Sequence, residues 1–334
     1  LATKGNTVYF LNPPSVNVTG VVCKKVAERL FILDYKDPYK GLRFLPKLLR
    51  KALTKRLYKK LEISARTDFD VVILFENSRF YDLDFLPSDV LSIYFQVDED
   101  QNFHPGKAAK TADLVIAINH IIQDILSVFR KPVHRIPHAF SGSFTQKALN
   151  ILNGVEQYKK AEGRIKAYFI GNLDSHFIEV DLFAKLVSEK KDIDFVFIGP
   201  YSQQGKLYNS IKNQENVYLH GKVPASEIPQ LLDEADVLLL AYREEFVSSS
   251  HKLMEYLASG KAIVAIKALG YPEDPDLFYC SGTAENFIDL FSKVCADIEE
   301  ANSPDKMKKR IQFARDNTYE IRVKQLEELI QSSQ

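Results

Sequence analysis

Short apolar runs alternate with segments of helical period along this chain, and the alternation fades and then restarts near the middle. No other feature constrains the fold as strongly. Parallel strands buried on both faces read as unbroken apolar runs, and each needs a long crossover, usually a helix, before the next. In the first half the strand candidates are Thr7–Leu11, Leu30–Tyr35, Phe69–Phe75, Leu91–Gln96, Leu114–Ile118 and Val133–Ile136. Helical segments fit at Val18–Arg29, Leu42–Ile63, Pro105–Ala112 and His120–Phe129. Around Phe140–Lys160 the apolar pattern gives way to a polar stretch containing Gly142 and Gly154, the expected interdomain connection. Strands then recur at Ile165–Ile170, Phe195–Ile198, Val217–Leu219, Val237–Ala241, Ala262–Ala265 and Leu277–Cys280. Between and after them come helices at Phe177–Lys190, Leu207–Lys212, Ala225–Glu234, His251–Ser259 and Ala284–Asp297. The segments Ala112–Asn119 and Ala235–Arg243 look alike, each a helix end feeding a buried strand. A length of 334 residues suits two cores. The expected fold is α/β, two doubly wound Rossmann-like domains at 1–155 and 156–308, each with its crevice where the strands end. The tail, 309–334, is helical, and its apolar face of Ile311, Ala314, Ile321, Leu326 and Ile330 must dock on a neighbour.

Composition removes several function classes. Lysine plus arginine equals aspartate plus glutamate at 44 each, so overall charge names no partner. Cys23, Cys280 and Cys295 are scattered and contain no CxxC pair, which argues against a disulfide framework and a zinc site and for a reducing, cytoplasmic compartment. Leu1–Gly5 shows no charged segment leading into an apolar core, and no apolar run approaches the ~18 residues of a spanning helix. Neither a signal peptide nor a membrane span is therefore expected.

The most informative stretch runs from Val237 to Ala265. A buried strand ends at Ala241, a polar loop follows, and a helix begins at Ser249–His251, with serines at its N-cap and Gly260 at its C-terminal stop. Unpaired N–H groups and the positive dipole end at such a start make a phosphate site, to which Ser249, Ser250 and Lys252 add donors. Glu255 lies one turn deeper on the face of His251 and could accept both hydroxyls of a ribose. An ordinary i,i+3 ion pair between Lys252 and Glu255 is the alternative.

Read in order, the second half resembles the GT-B glycosyltransferases, especially those similar to family four. Lys252–Gly260 followed by KAIVA is similar to their K-x-x-E-Y-L-A-x-G-K-P-V-V signature. Asn216–Pro224 resembles the strand before the base-binding loop, Phe195–Pro200 the strand ending in Gly-Pro, and Ile170–Leu173 the first Gly-rich turn of the donor domain. Ile136–Phe140 stands where the family has P-N-G-V-D, and Ala314–Leu329 resembles its N-T-W-x-x-R ending. The resemblance covers 165–334 well and the first domain loosely. It implies a cleft between the domains and a final helix that crosses back to the first domain. It also implies diphosphate contact by Lys252 with support from Ser249, Ser250 and His251, ribose contact by Glu255, base reading by backbone near Lys222 and Val223, and phosphate approach by Gly171, Asn172, Gly199 and Pro200. Uracil and guanine both remain open, uridine being favoured by family frequency. Two departures stand out: the residue eight before Glu255 is Val247 where the family has a second glutamate, and no Arg/Lys pair follows Gly171. Glu244 or Glu245 could replace the missing carboxylate by a loop shift.

Sugar transfer needs a deprotonated acceptor hydroxyl and a stabilised leaving diphosphate. The family resemblance implies helix dipoles and basic side chains for the second task, with no metal and no further cofactor, and no ligand-spaced cluster is present. Acceptor-side candidates stand after first-domain strands: Asn12 and Ser15, Glu76 and Asn77, and the stretch Asp98–His104. Asp98 and His138 are the two candidates for catalytic base, Asp98 having a solvated loop as its alternative.

From Lys40 to Lys60 the chain carries nine Lys/Arg and no acid. Leu45, Leu48, Leu49, Ala52, Leu53, Leu57 and Leu61 form a stripe at helical spacing, flanked by Arg50, Lys51, Lys55, Arg56, Lys59 and Lys60. Such a helix can pack on a sheet through the stripe and offer its basic flank to anionic lipid, as a peripheral protein on the inner face of a membrane. An ordinary helix with a charged outer face is the other reading. Nucleic acid fits poorly, because no aromatic-interleaved basic groove or binding motif accompanies the patch. The leading expectation is a glycosyltransferase that takes a nucleotide-sugar donor and a glycan, lipid-linked or protein-linked acceptor. A sugar-nucleotide epimerase or hydrolase and a non-catalytic binding partner are the alternatives.

Overall fold

The computed structural model describes residues 1–333 except 38, 40, 76–78, 99–104, 131, 141–143, 155, 161–162, 244–250 and 269. The chain divides into two units, Leu1–Ile136 with Val323–Gln334, and Pro137–Arg322.

The first unit carries a three-stranded sheet, β1 (Val8–Leu11), β2 (Val21–Ala27) and β3 (Leu30–Tyr35), ordered β1-β3-β2. A parallel four-stranded sheet follows in chain order: β4 (Val71–Leu74), β5 (Leu91–Gln96), β6 (Leu114–Ala117) and β7 (His134–Arg135). Its helices are α1 (Lys47–Ala65), α2 (Gly106–Thr111) and α3 (His120–Ser127). The helix expected at Val18–Arg29 is instead β2, an edge strand antiparallel to β3. Val21, Val22 and Val26 favour extended backbone, and Arg29 at φ 56° turns the chain straight back into β3, leaving no length for a helical crossover.

Helix α1 also departs from expectation. It starts at Lys47, after Pro46, and buries Arg50, Thr54, Leu57, Tyr58, Leu61 and Glu62. The leucine stripe therefore faces inward only at Leu57 and Leu61; Leu48 is 83% and Leu49 48% exposed. Arg50 is not part of the basic surface. It is buried because its guanidinium donates to the Asp82 carboxylate at 2.7 Å, which fixes the rotation of the helix. Lys51, Lys55, Arg56 and Lys59 are exposed.

The second unit is a doubly wound parallel sheet of β8 (Ile165–Ile170), β9 (Ile193–Ile198), β10 (Val217–Gly221), β11 (Val237–Leu240), β12 (Ala262–Ala265) and β13 (Tyr279–Cys280), ordered β10-β9-β8-β11-β12-β13. Its strands are apolar throughout because both faces are covered. Ala167, Phe169, Val237 and Leu239 point into one core with α5 (Val180–Glu189), α6 (Lys206–Ile211) and α9 (Phe287–Ala296). Tyr168, Ile170, Leu238 and Leu240 point into the other, with α7 (Ile228–Leu231) and α8 (His251–Ser259). The chain winds outward in both directions from β8 and β11, so the switch point lies between their carboxyl ends.

The segment expected as a linker through Lys160 belongs to the second unit from Pro137 onward. It forms α4 (Thr145–Leu152), whose Ala148 and Ile151 pack on Met307 and Ile311. After α10 (Ile298–Ala301), the tail is two helices, α11 (Pro304–Arg315) and α12 (Tyr319–Gln331), broken at Asn317. There the Asn317 carbonyl accepts from Phe140 N–H at 3.0 Å, and Phe140 bridges Thr318. Helix α11 stays with the second unit, whereas Leu326 at the middle of α12 lies in the first unit's core.

Candidate functional site

Glycines let the switch-point turns close up. Gly199, at φ 145°, follows β9, and a Cβ there would fall 1.7 Å from the Gly171 carbonyl oxygen. No side chain fits, so the turns after β8 and β9 meet backbone to backbone. Gly171 N–H donates to Ile198 O at 2.9 Å, Gly199 N–H to Gly221 O at 2.8 Å, and Leu173 N–H to Pro200 O at 3.0 Å. Asn172 and Pro200 are exposed beside them.

Helix α8 is fastened to this point from within. The Ile170 N–H donates to the buried Tyr256 hydroxyl at 2.9 Å, joining the middle of α8 to the end of β8. Tyr242, two residues after β11, has its hydroxyl close enough that a Cβ on Gly171 would lie 3.4 Å from it. Burial, and then the negative charge of Glu255, push the Tyr242 hydroxyl up to about 12. Gly171, Tyr242, Tyr256 and Glu255 are thus gathered on one patch.

Lys252 and Glu255 form an i,i+3 ion pair at 2.8 Å, their side chains only 18% and 21% exposed. The pair anticipated as the alternative reading exists, but half-buried at the switch point rather than on an outer face. His251 is exposed at the first turn, and the His138 ring stands 6.1 Å from it, edge to face. Ser249 and Ser250 lie outside the described residues, as do Glu244, Glu245 and Val247. Lys222 is exposed after β10, while Val223 packs against the core on the α8 side.

The remaining candidates belong to the first unit. Asp98 is exposed two residues beyond β5, and its carbonyl accepts from Gln96 Nε2 at 3.0 Å. Asn12 Nδ2 donates to Asp34 Oδ1 at 2.7 Å, which ties the end of β1 to β3, and Ser15 N–H donates to Tyr35 O at 2.8 Å. Glu76 and Asn77 lie outside the described residues. Asp98 and His138 therefore stand in different units. Among the described residues, no group of three or more His, Cys, Asp or Glu could hold a metal ion.

Sequence reasoning missed Tyr242 and Arg243. Arg243 N–H donates to Phe177 O at 2.7 Å, Tyr242 bridges Ile178, and the guanidinium approaches Glu179 at 4.0 Å. A cation thus stands at the switch point although none follows Gly171 directly. The signal was positional: the first polar residues after a buried strand adjoining the chain reversal.

A doubly wound unit of this winding, joined to a second α/β unit and closed by a tail helix, defines the GT-B glycosyltransferase fold. Residues 164–297 match the profile of the family described as glycosyl transferases group 1. The matched segment lies within the second unit. Sucrose-phosphate synthase from Thermosynechococcus elongatus superposes with a TM-score of 0.70 at 12% identity, covering 99% of this chain and 90% of that one. Anabaena HepE in complex with UDP and glucose gives 0.63 at 15% identity, covering 91% and 86%. WaaG, a glycosyltransferase involved in lipopolysaccharide biosynthesis, gives 0.59 at 13% identity, covering 93% and 88%. No curated protein matches the sequence.

Proposed function

We propose that the second unit binds a nucleotide sugar at the carboxyl ends of β8 and β11, and that the chain transfers its hexose to a glycan, lipid-linked or protein-linked acceptor. A UDP-sugar is favoured over a GDP-sugar, and HepE, of the same fold, binds UDP. One observation carries the reading: a half-buried Lys252–Glu255 pair on the first turns of α8, beside the glycine turns of β8 and β9. The ammonium of Lys252 exchanges its carboxylate partner for the diphosphate, and Glu255, so released, accepts the two ribose hydroxyls. The dipole of α8 and the cations Lys252 and Arg243 take up charge on the leaving diphosphate, and no metal is required. His138, next to His251, and Asp98 are the candidates to receive the acceptor proton.

The biological setting we propose is surface polysaccharide or glycoconjugate synthesis at the cytoplasmic face of an anionic membrane. No helix among the described residues is long and apolar enough to cross a membrane, and the exposed cations of α1 supply the charge complementarity for peripheral contact.

Calorimetric titration with UDP and with GDP, up to about 1 mM, tests the donor site. Heat with UDP is expected, and silence with both nucleotides would leave a non-catalytic partner. A screen for donor hydrolysis over UDP- and GDP-sugars in the presence of EDTA tests the chemistry. Release of free nucleotide is expected; conversion to an isomeric sugar nucleotide with none released would instead identify an epimerase.

A further inference from the structure

Against the middle of α1, at Thr54 and Leu57, the first unit holds a recess of about 440 Å³, within the size range of small-molecule sites. Two chain segments wall it: Asp37 and Tyr39, which follow β3, and Arg79–Tyr81, which follow β4. Tyr35 and Leu57 are buried at its base. The walls are braced from behind. The buried Arg50–Asp82 pair adjoins Tyr81, whose ring lies 6.0 Å beneath the guanidinium, and Phe80 packs on Phe85 at 5.6 Å.

The chemistry of the lining selects among ligands. Tyr39, Phe80 and Tyr81 offer aromatic surface, and the polar element between them is the Arg79–Asp37 ion pair at 2.7 Å. A bare anion would meet the Asp37 carboxylate as well as the guanidinium, and a bare cation the reverse. A polyhydroxylated ring suits both, since its hydroxyls accept from Arg79 and donate to Asp37 while its C–H face lies on an aromatic ring.

The recess does not end in polar surface. Phe44 lines it and is 78% exposed; after the extended Leu45 and Pro46, the first turn of α1 carries Leu48, 83% exposed, and Leu49, 48% exposed. Lys47, Lys51 and Lys55 fringe these apolar side chains. A hydroxylated recess opening onto an apolar ramp inside a basic fringe complements an amphiphile in an anionic surface.

We infer that this recess seats the sugar head of a lipid-anchored glycoside, its hydrocarbon lying along Phe44, Leu48 and Leu49. Calling that lipid the acceptor rests on the glycosyl-transfer reading above; the binding itself does not.

The test is calorimetry on the full chain with octyl glycosides of glucose, galactose, mannose and N-acetylglucosamine, below their micelle-forming concentrations. The methyl glycosides supply the head alone, and octyl sulfobetaine supplies the chain without a sugar. At least one octyl glycoside is expected to bind about tenfold or more tightly than its methyl counterpart and than the sulfobetaine. Arg79→Gln and Tyr39→Ala should each lower that affinity about tenfold, and Leu48→Ser with Leu49→Ser should reduce it to the methyl level. Phe44→Ser, at a site too exposed to unfold the chain, should weaken only the octyl compounds. No octyl glycoside exceeding the sulfobetaine, or full affinity in Arg79→Gln and Tyr39→Ala, would overturn the inference. UDP titration of the same variants separates the two sites: glycoside binding without UDP binding removes the donor reading and leaves this one standing.

Discussion

Lys252 and Glu255 neutralise each other across one helical turn, and that pairing makes both useful to a nucleotide. A half-buried ammonium and carboxylate that already face each other need little further desolvation to exchange partners. Replacing either with alanine strands the other, so Lys252→Ala and Glu255→Ala should each weaken UDP binding by about tenfold to a hundredfold. Unchanged affinity in both would remove them from the site, and a preserved urea midpoint would show that the loss is not unfolding. Gly199 is constrained by space rather than charge. With a Cβ 1.7 Å from the Gly171 carbonyl, Gly199→Ala must push the β8 and β9 turns apart. About 2–4 kcal/mol of stability should go with it, read from the same denaturation curves. Lys261 allows a pH test. Burial holds its ammonium down to about 8, below its usual 10.5, although Asp233 O accepts from Nζ at 3.0 Å. The unfolded chain then binds more protons above that value, so this lysine makes stability rise with pH between about 8 and 10. Lys261→Met should flatten that rise in urea midpoints taken across the window, and an unchanged slope would exclude Lys261 as its source.

At the scale of elements, α8 is held at its middle and its end while its first turn meets the switch point. Tyr256 ties it to β8, and Gly260 ends it in the left-handed conformation at φ 75°. The buried Arg310 guanidinium then donates to the Gly260 carbonyl at 3.1 Å and to Leu277 O at 3.1 Å. A cation at a helix C-terminus complements the dipole whose other end faces the proposed diphosphate. Arg310→Leu should therefore cost about 2–4 kcal/mol, because two carbonyls lose charge-assisted donors in a dry environment. A thermal midpoint equal to wild type would mean that water takes over both bonds. The stop of α8 and the strand before it were legible in sequence, since a glycine and a buried apolar run are local signals. Strand β2 was not. Its residues space as well for a helix as for a strand, and the hairpin with β3 decides between them. Helix α1 was legible as a helix but not in its rotation, because the pairing of Arg50 with Asp82 spans 32 positions of sequence.

At the scale of the molecule, two units share one chain, and the last helix begins in the second and ends in the first. Leu326 is buried in the first unit's core, so Leu326→Ala should destabilise that unit by about 2–4 kcal/mol. Hydrogen exchange would show the loss in β4–β6 and leave β8–β12 protected, and equal loss in both units would contradict the division. The outer face of α1 makes a surface of cations and exposed leucines. Cosedimentation with anionic vesicles should be salt-sensitive and fall at least tenfold on Lys55→Glu with Lys59→Glu, each cation contributing about 1 kcal/mol near such a surface. Binding indifferent to both salt and charge reversal would rule out an electrostatic contact. The alternation of strands and helices from Ile165 to Cys280, the doubly wound class of the second unit and the Lys252–Glu255 signature were determined by sequence alone, because each is written in spacing over a few residues. Tertiary structure alone decided that Arg50 turns inward, that residues 137–152 join the second unit, and that Tyr242 and Arg243 reach the switch point. These outcomes depend on partners far away in the chain, and a local pattern carries no record of which distant group will satisfy a buried charge or cover an apolar face.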